Sequence, residues 1–288
     1  MKQGRVAPAF GPGGNSESFH ATKMKTEQAP IWLAGLGLDA YEYEAGRGVT
    51  SSDESLKRLG ACAKEAGIYV SVHAPYFISL SGVVPETRYK SIGYIEESLR
   101  AASLLGADTI VVHTGSAAKI SRAEALALAA DTLCKTLEEL DPQGIAIGLE
   151  TMGKINQLGT LDEVISLCKI DKRLQPVVDF GHMNARALGG AFTGVDQYRA
   201  VFDTIGNALG DDSARNLHCH FSKIEWTNAG EKKHLTFEDT LYGPDFEYLM
   251  EALYREGLTP TIICESAGTQ AEDALAMKRH YLTLRKYR

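Results

Sequence analysis

VSVHAP (Val70–Pro75) is a short apolar run that stops on a histidine. The same figure recurs along the chain. It reads IVVHTGS at 110–116, IAIGLET at 145–151, PVVDFGH at 176–182, NLHCHFS at 216–222 and IICESAG at 262–268. Each places an acid or an imidazole where apolar residues end: His73, His113, Glu150, Asp179 with His182, His218 with His220, and Glu265. Successive runs stand about 30 to 45 residues apart, roughly one strand–helix unit of a (β/α)8 barrel. Such a barrel gathers the C-terminal ends of its strands around one mouth. Imidazoles and carboxylates converging there are what a divalent metal site needs.

Working outward, eight strands are expected: Val6–Phe10, Leu38–Glu44, Ile68–Ala74, Thr109–His113, Ile145–Glu150, Pro176–Phe180, Asn216–Phe221 and Thr261–Glu265. Most are rich in Val and Ile, as parallel strands covered on both faces require. Helical patterns lie between them. Thr87–Leu105 aligns Ile92, Ile95, Leu99 and Ala102 on one face and ends at Gly106. Ser121–Leu140 opens on Ser121 with Glu124 three residues later, a capping box. Asp245–Glu256 groups Phe246, Leu249, Met250 and Leu253 and stops before Gly257. The expectation is one α/β domain over residues 1–288, a single (β/α)8 TIM barrel with a metal site at the C-terminal strand ends.

The chain has 288 residues, 44% hydrophobic and 23% charged, which is ordinary globular composition. No apolar run approaches the roughly 20 residues of a membrane span, and the start MKQGRVAPAFGPGG has no apolar h-region. The five scattered cysteines suit free thiols in a reducing compartment. A cytoplasmic monomer with no membrane contact and no protein partner is expected. A formal net charge of -7 argues against broad polyanion binding but leaves room for one local face.

The irregular segments Phe10–Ser16, Gly46–Ser52, Phe77–Pro85 and Lys223–Asp239 all follow strands, where barrel loops surround the mouth. Zinc prefers imidazole nitrogen and carboxylate oxygen. One carboxylate can bridge two ions, and paired ions suit phosphodiester cleavage. The donors here are numerous enough for more than one ion. His218 and His220, two apart, face the same side of a strand, and only one need be a ligand.

The motifs HAPYFISL, VVHTGS, LET, VDFGH, HCHFSK and CES together resemble the endonuclease IV family of apurinic/apyrimidinic endonucleases, within the xylose-isomerase-like barrels. The resemblance runs from about Leu38 to Glu265. It implies a zinc-dependent hydrolase that cleaves damaged double-stranded DNA at abasic sites, with Glu150, Asp179 and Glu265 setting a catalytic cluster. By motif, His73 and His113 would bind a first zinc and Glu150 would bridge to a second. Asp179, His218 and Glu265 would complete that second site, and His182 and His234 would belong to a third. His220 would be an extra imidazole. Where the family has Asp-Arg-His, this chain reads Lys232-Lys233-His234, with Glu231 one residue out of step. Lysine cannot replace a carboxylate ligand, so the expectation is two zinc ions or a weakly held third.

The resemblance also suggests DNA contacts. Tyr76 and Phe77 match the inserting position after His73, and Arg47 matches another inserted residue more loosely; apart from the resemblance, the charge of Lys232 could face a phosphate. Read alone, Tyr76 and Phe77 are more often loop-packing residues, and Lys232 and Lys233 usually a solvated charge pair. Two other functions stay open. A sugar isomerase or epimerase of the same superfamily would use one metal, with Glu150 and Glu265 as acid–base groups. A divergent homologue would bind DNA or metal without turnover.

Overall fold

The computed structural model describes residues 5–286, so the outermost residues of the expected domain lie outside it. Eight parallel strands form one sheet: β1 (Ala9–Pro12), β2 (Ala40–Glu44), β3 (Tyr69–His73), β4 (Thr109–His113), β5 (Ala146–Glu150), β6 (Leu174–Asp179), β7 (His218–Phe221) and β10 (Thr261–Cys264). The order is β1-β10-β7-β6-β5-β4-β3-β2, which is chain order wrapped into a ring. The ring closes where Gly13 bridges Glu42 in parallel and the Gly14 N–H donates to Glu42 O at 2.9 Å. Closure demands a glycine. A Cβ on Gly11 would stand 1.8 Å from the Ala40 carbonyl oxygen, so any side chain there would force β1 and β2 apart.

A short hairpin, β8 (Ile224–Thr227) and β9 (Gly230–His234), follows β7. The sequence suggested irregular chain there. The helices are α1 (Glu17–Ala21), α2 (Ala29–Leu36), α3 (Asp53–Ala66), α4 (Pro85–Leu105), α5 (Arg122–Glu139), α6 (Leu161–Cys168), α7 (Phe180–Arg186), α8 (Val195–Leu209), α9 (Asp211–Arg215), α10 (Phe246–Glu256) and α11 (Gln270–Lys286).

Local chemistry sets most boundaries. On α4, Ile92, Ile95, Leu99 and Ala102 are buried as the 3.6-residue spacing requires, and Gly106 ends the helix at φ 70°. The Ser121 side chain caps α5 by accepting from the Glu124 N–H, one half of the expected box. The complete box stands on α6, between Thr160 and Glu163. The first strand is displaced from Val6–Phe10 because Val6 is exposed and pairing begins only when the Ala9 N–H reaches Pro260 O. Pro8, just before it, has no N–H to pair.

Alternate strand residues divide the interior. Val70, Val72, Ile110, Val112, Ile147, Leu149, Val178, Cys219 and Ile262 join the main apolar core with the helices. Ala9, Ala40 and Ile263 form a separate small apolar cluster. Glu42, Ser71, His218 and His220 are buried polar residues on β2, β3 and β7. Cys168, Cys219 and Cys264 are buried, while Cys134 is exposed. Among the described residues, no helix is long and apolar enough to cross a membrane.

Candidate metal centre

Glu150, the last residue of β5, is fully buried and stands at the centre. His73 Nε2 and His113 Nε2 lie 3.6 Å and 3.2 Å from its Oε2. His220 Nδ1 and His182 Nδ1 lie 2.9 Å and 3.4 Å from its Oε1. One carboxylate therefore meets imidazoles from β3, β4, β7 and α7. Each of these residues arrives at the end of its strand or just beyond it.

The orientations follow from backbone contacts. His73 Nδ1 is 2.9 Å from Ala74 O. A carbonyl can only accept, so Nδ1 carries a proton and Nε2 is the nitrogen turned to Glu150. His182 Nδ1 is likewise 3.0 Å from Thr151 O, which leaves Nε2 toward Glu231 at 3.5 Å. Asp179 caps α7, its Oδ1 accepting the His182 N–H at 2.8 Å, and so fixes where His182 begins. Its Oδ2 points into the site, 3.3 Å from His182 Nδ1. Glu265 Oε1 is 3.2 Å from His220 Nδ1, and Glu265 Oε2 is 3.8 Å from His234 Nδ1.

Two residues stand differently from their motif assignments. His220, rather than His218, joins Glu150, Asp179 and Glu265 in one group whose donor atoms lie within 4.8 Å of each other, while His218 joins Glu42 and His220 in another. His218 lies one pair deeper in the barrel. Its Nε2 is 2.9 Å from Glu42 Oε2, which also accepts from Ser71 Oγ at 2.6 Å. Both histidines face inward, as their spacing requires, but only His220 is high enough to reach the mouth. Glu42 was not singled out in the sequence, where AYEYE reads simply as a strand. Its Oε1 is 2.8 Å from His220 Nε2, so a buried carboxylate backs this imidazole.

The second change concerns Lys232. The hairpin shifts register between Glu225 and Trp226: Glu225 pairs with Lys233, but Trp226 pairs with Glu231. Lys232 is the extra residue of a β-bulge. A bulge resets the alternation of faces. Glu231 and His234 therefore join His182 in one donor group, while Lys232 and Lys233 both turn to Glu225. Lys232 is half exposed and tied to that acid, away from the acid-and-imidazole group. Glu231 is thus the carboxylate that stands beside His182 and His234.

The donor set fits divalent cations on its own chemistry. Glu150 Oε2 and Asp179 Oδ2 are buried without an aligned hydrogen bond, their nearest partners being imidazole nitrogens at 3.2 Å and 3.3 Å. A buried carboxylate oxygen left unpaired is costly unless a cation meets it. Burial works against ionising Glu150, yet His220, His113 and His182 outweigh it and hold the carboxyl well below its usual range. Burial likewise opposes charging His220 and His182, but Glu265 and Asp179 respectively lead the carboxylates that raise both well above normal. Without an ion, the site balances its acids with protons on imidazoles.

A cavity of about 490 Å3 opens above, lined in part by Glu44, Arg47, Tyr76, His234 and Glu265. The Tyr76 ring lies 5.4 Å from both His73 and His113 and is 58% exposed. It is a lip over the site rather than packing within it. Phe77 is similarly exposed but leans on Tyr94 at 5.9 Å. A larger cavity, about 610 Å3, lies at the other end of the barrel beneath His218, with Asp108, Arg173 and Asn216 in its lining. None of the acids at the mouth lines it.

Comparison with known proteins fits this geometry. A family model described as xylose isomerase-like TIM barrel matches residues 31–285. An uncharacterised protein of Methanocaldococcus jannaschii is 29% identical over 85% of this chain and 88% of its own length. A probable endonuclease 4 of Acholeplasma laidlawii is 28% identical over 70% of this chain and 69% of its own. Among solved structures, a D-tagatose 3-epimerase-like protein superposes with TM-score 0.70 at 20% identity, covering 97% of this chain and 98% of that one. Endonuclease IV from Thermus thermophilus gives TM-score 0.67 at 18% identity, covering 98% and 100%. At those identities the solved structures speak for the fold alone.

Proposed function

The chain belongs to the xylose isomerase-like TIM-barrel family, and within it we propose a zinc-dependent phosphodiesterase that cleaves the DNA backbone at abasic sites. The observation that carries this reading is the third donor group, His182, Glu231 and His234, beside the groups centred on Glu150. A single ion is satisfied by about four protein donors or fewer. This site offers donors for a cluster, and clustered ions suit phosphoryl transfer. The relative named probable endonuclease 4 supports the same reading.

In this proposal His73, His113 and Glu150 hold one zinc. Glu150, Asp179, His220 and Glu265 hold a second, and His182, Glu231 and His234 a third. Bound zinc would act as a Lewis acid on phosphoryl oxygens and lower the pKa of a water. The protein's part is orientation. Asp179 positions His182 through the α7 cap, and Thr151 and Ala74 fix the His182 and His73 tautomers. Arg47 and Tyr76 on the cavity rim would meet the damaged strand, Arg47 by charge and Tyr76 by stacking on a base. Phe77, exposed and next to it in the chain, would assist Tyr76.

A second reading, a sugar isomerase or epimerase, is favoured by one observation. Burial raises the Glu265 carboxyl to about 8 and the Glu44 carboxyl to about 7. Both face the cavity at pH values suited to moving protons.

The two readings separate in one experiment. Protein purified without chelator is analysed for metal, then offered an abasic duplex and a ketose. Two or three zinc ions per chain with chelator-sensitive strand cleavage is the expected result. One ion or none, with sugar interconversion and intact DNA, would replace the first reading with the second.

The site also predicts a pH dependence. Burial opposes charging His73, but Glu44, Glu150 and Glu42 raise it from 6.5 to about 10. That stabilisation is complete below pH 6.5 and is lost as pH climbs toward 10. Glu265, raised from 4.5 to about 8, also binds more protons folded than unfolded, so it too costs stability as pH rises, from 4.5 up to about 8. Ions take the place of these protons, and their binding tightens with pH. The melting temperature of zinc-loaded protein minus that of stripped protein should therefore grow between pH 6.5 and 8. A gap that is flat or shrinks over this range would mean that ions and protons do not compete at these groups.

A further inference from the structure

Two arginines outside the donor groups converge on the loop between β5 and α6. Arg186 Nη1 donates to the carbonyls of Lys154 at 2.7 Å, Met152 at 3.2 Å and Gln157 at 3.2 Å, and Nη2 to that of Ile155 at 2.9 Å. Arg122 adds Nη1 to Ile155 O at 3.0 Å and Nη2 to Gln157 O at 3.1 Å. Arg122 is itself held by Glu163 through Nε at 2.8 Å and Nη2 at 2.6 Å. A guanidinium has five donors in a fixed plane. Two of them here satisfy carbonyls that turn inward from a loop lacking a ladder of its own.

That loop carries the β8–β9 hairpin. The Ile155 N–H donates to Ala229 O at 3.0 Å and the Glu231 N–H to Gly153 O at 3.1 Å. The approach is so close that it excludes side chains. A Cβ on Gly153 would stand 2.6 Å from Glu231 Cβ and 3.1 Å from His182 Cδ2. Gly230, at φ +88°, would place a Cβ 2.3 Å from Gly153 O. The Gly153 backbone is thus the spacer between Glu231 and His182. Arg186 lies on α7 four residues after His182, so one helix supplies an imidazole and also grips the loop that sets its carboxylate partner.

We propose that Arg186 and Arg122 are positioning residues for the His182–Glu231–His234 group, fixing Glu231 through the loop backbone. The proposal rests on the reading of that group as a metal site. Neither arginine touches a donor atom, so its effect should fall on one ion alone.

The test equilibrates wild type, Arg186→Gln and Arg122→Gln against one buffered free-zinc series and reads bound metal per chain. Arg186→Gln should weaken the last ion by about 10- to 100-fold, the usual cost of losing an outer partner of a metal ligand, with the tighter ions unchanged. Arg122→Gln should weaken it less, and Arg186→Lys should recover part of the loss. Hydrogen exchange on metal-free protein provides a second readout. The Ile155 and Glu231 amides should exchange faster in Arg186→Gln. Equal weakening of every ion, or unchanged binding in all variants, would overturn the proposal, as would unchanged exchange at both amides. If wild type held no more than one ion, the metal reading would fall, and the exchange arm would still decide the clamp.

Discussion

Glu150→Gln is expected to reduce cleavage of an abasic duplex by well over 100-fold, more than the 10- to 100-fold typical for an outer partner of a metal ligand. The change keeps volume and removes charge. Four imidazoles face this carboxylate within 3.6 Å, and an amide offers only one acceptor oxygen to share among them. Metal content should fall by at least one ion, because both groups that use Glu150 lose their common member. The fold should survive, since His73, His182 and His220 can shed protons once the charge they balance is gone. Steady-state cleavage, bound zinc and a melt on the same preparation check this. Activity within about tenfold of wild type, about 1.4 kcal/mol in barrier, would remove Glu150 from the reaction.

The two β7 histidines should part sharply. His220→Ala takes an imidazole from the group with Glu150, Asp179 and Glu265, and activity should again fall by more than the 10- to 100-fold of an outer partner. His218→Ala should leave activity within about tenfold and act on stability instead. It strips Glu42 of the contact at 2.9 Å and leaves a buried carboxylate short of a donor, a loss of about 1–3 kcal/mol. A melt and a cleavage rate on each variant give the comparison. The reverse pattern, with His218 essential and His220 dispensable, would restore the motif-based assignment and reject the depth argument.

Much of the architecture was legible because its signals are local. Apolar runs of five or so residues, separated by amphipathic stretches with caps at Ser121, Gly106 and Gly257, specify strands and helices with little help from the rest of the chain. The repeat distance then specifies a barrel. Its topology follows, because short right-handed β–α–β connections leave neighbouring strands few other places to lie. The errors fell where pairing is not local. Val6 looks like a strand residue by type but finds no partner, while Pro12 and Gly11 join the sheet because barrel closure needs β1 pressed against β2. The stretch after Lys223 looks like loop by composition and becomes a hairpin because the β5–α6 loop binds its tip.

The same division holds at the site. The sequence by itself determined that His73, His113, Glu150, Asp179, His182 and Glu265 would meet, since each stands at or just past a strand end and a barrel brings those ends together. Tertiary structure alone set His220 beside Glu150 and His218 on Glu42. Two residues apart, they share a face, and only height along the barrel separates a donor at the mouth from a polar residue buried beneath it. It alone revealed Glu42 behind His220, an acid on an inward face that looks unremarkable until β2 and β7 are seen to converge. It alone placed Glu231 beside His182 and turned Lys232 away. A β-bulge is one residue of slip between two strands, set by what the hairpin packs against, and one residue of slip is enough to exchange the faces of everything beyond it.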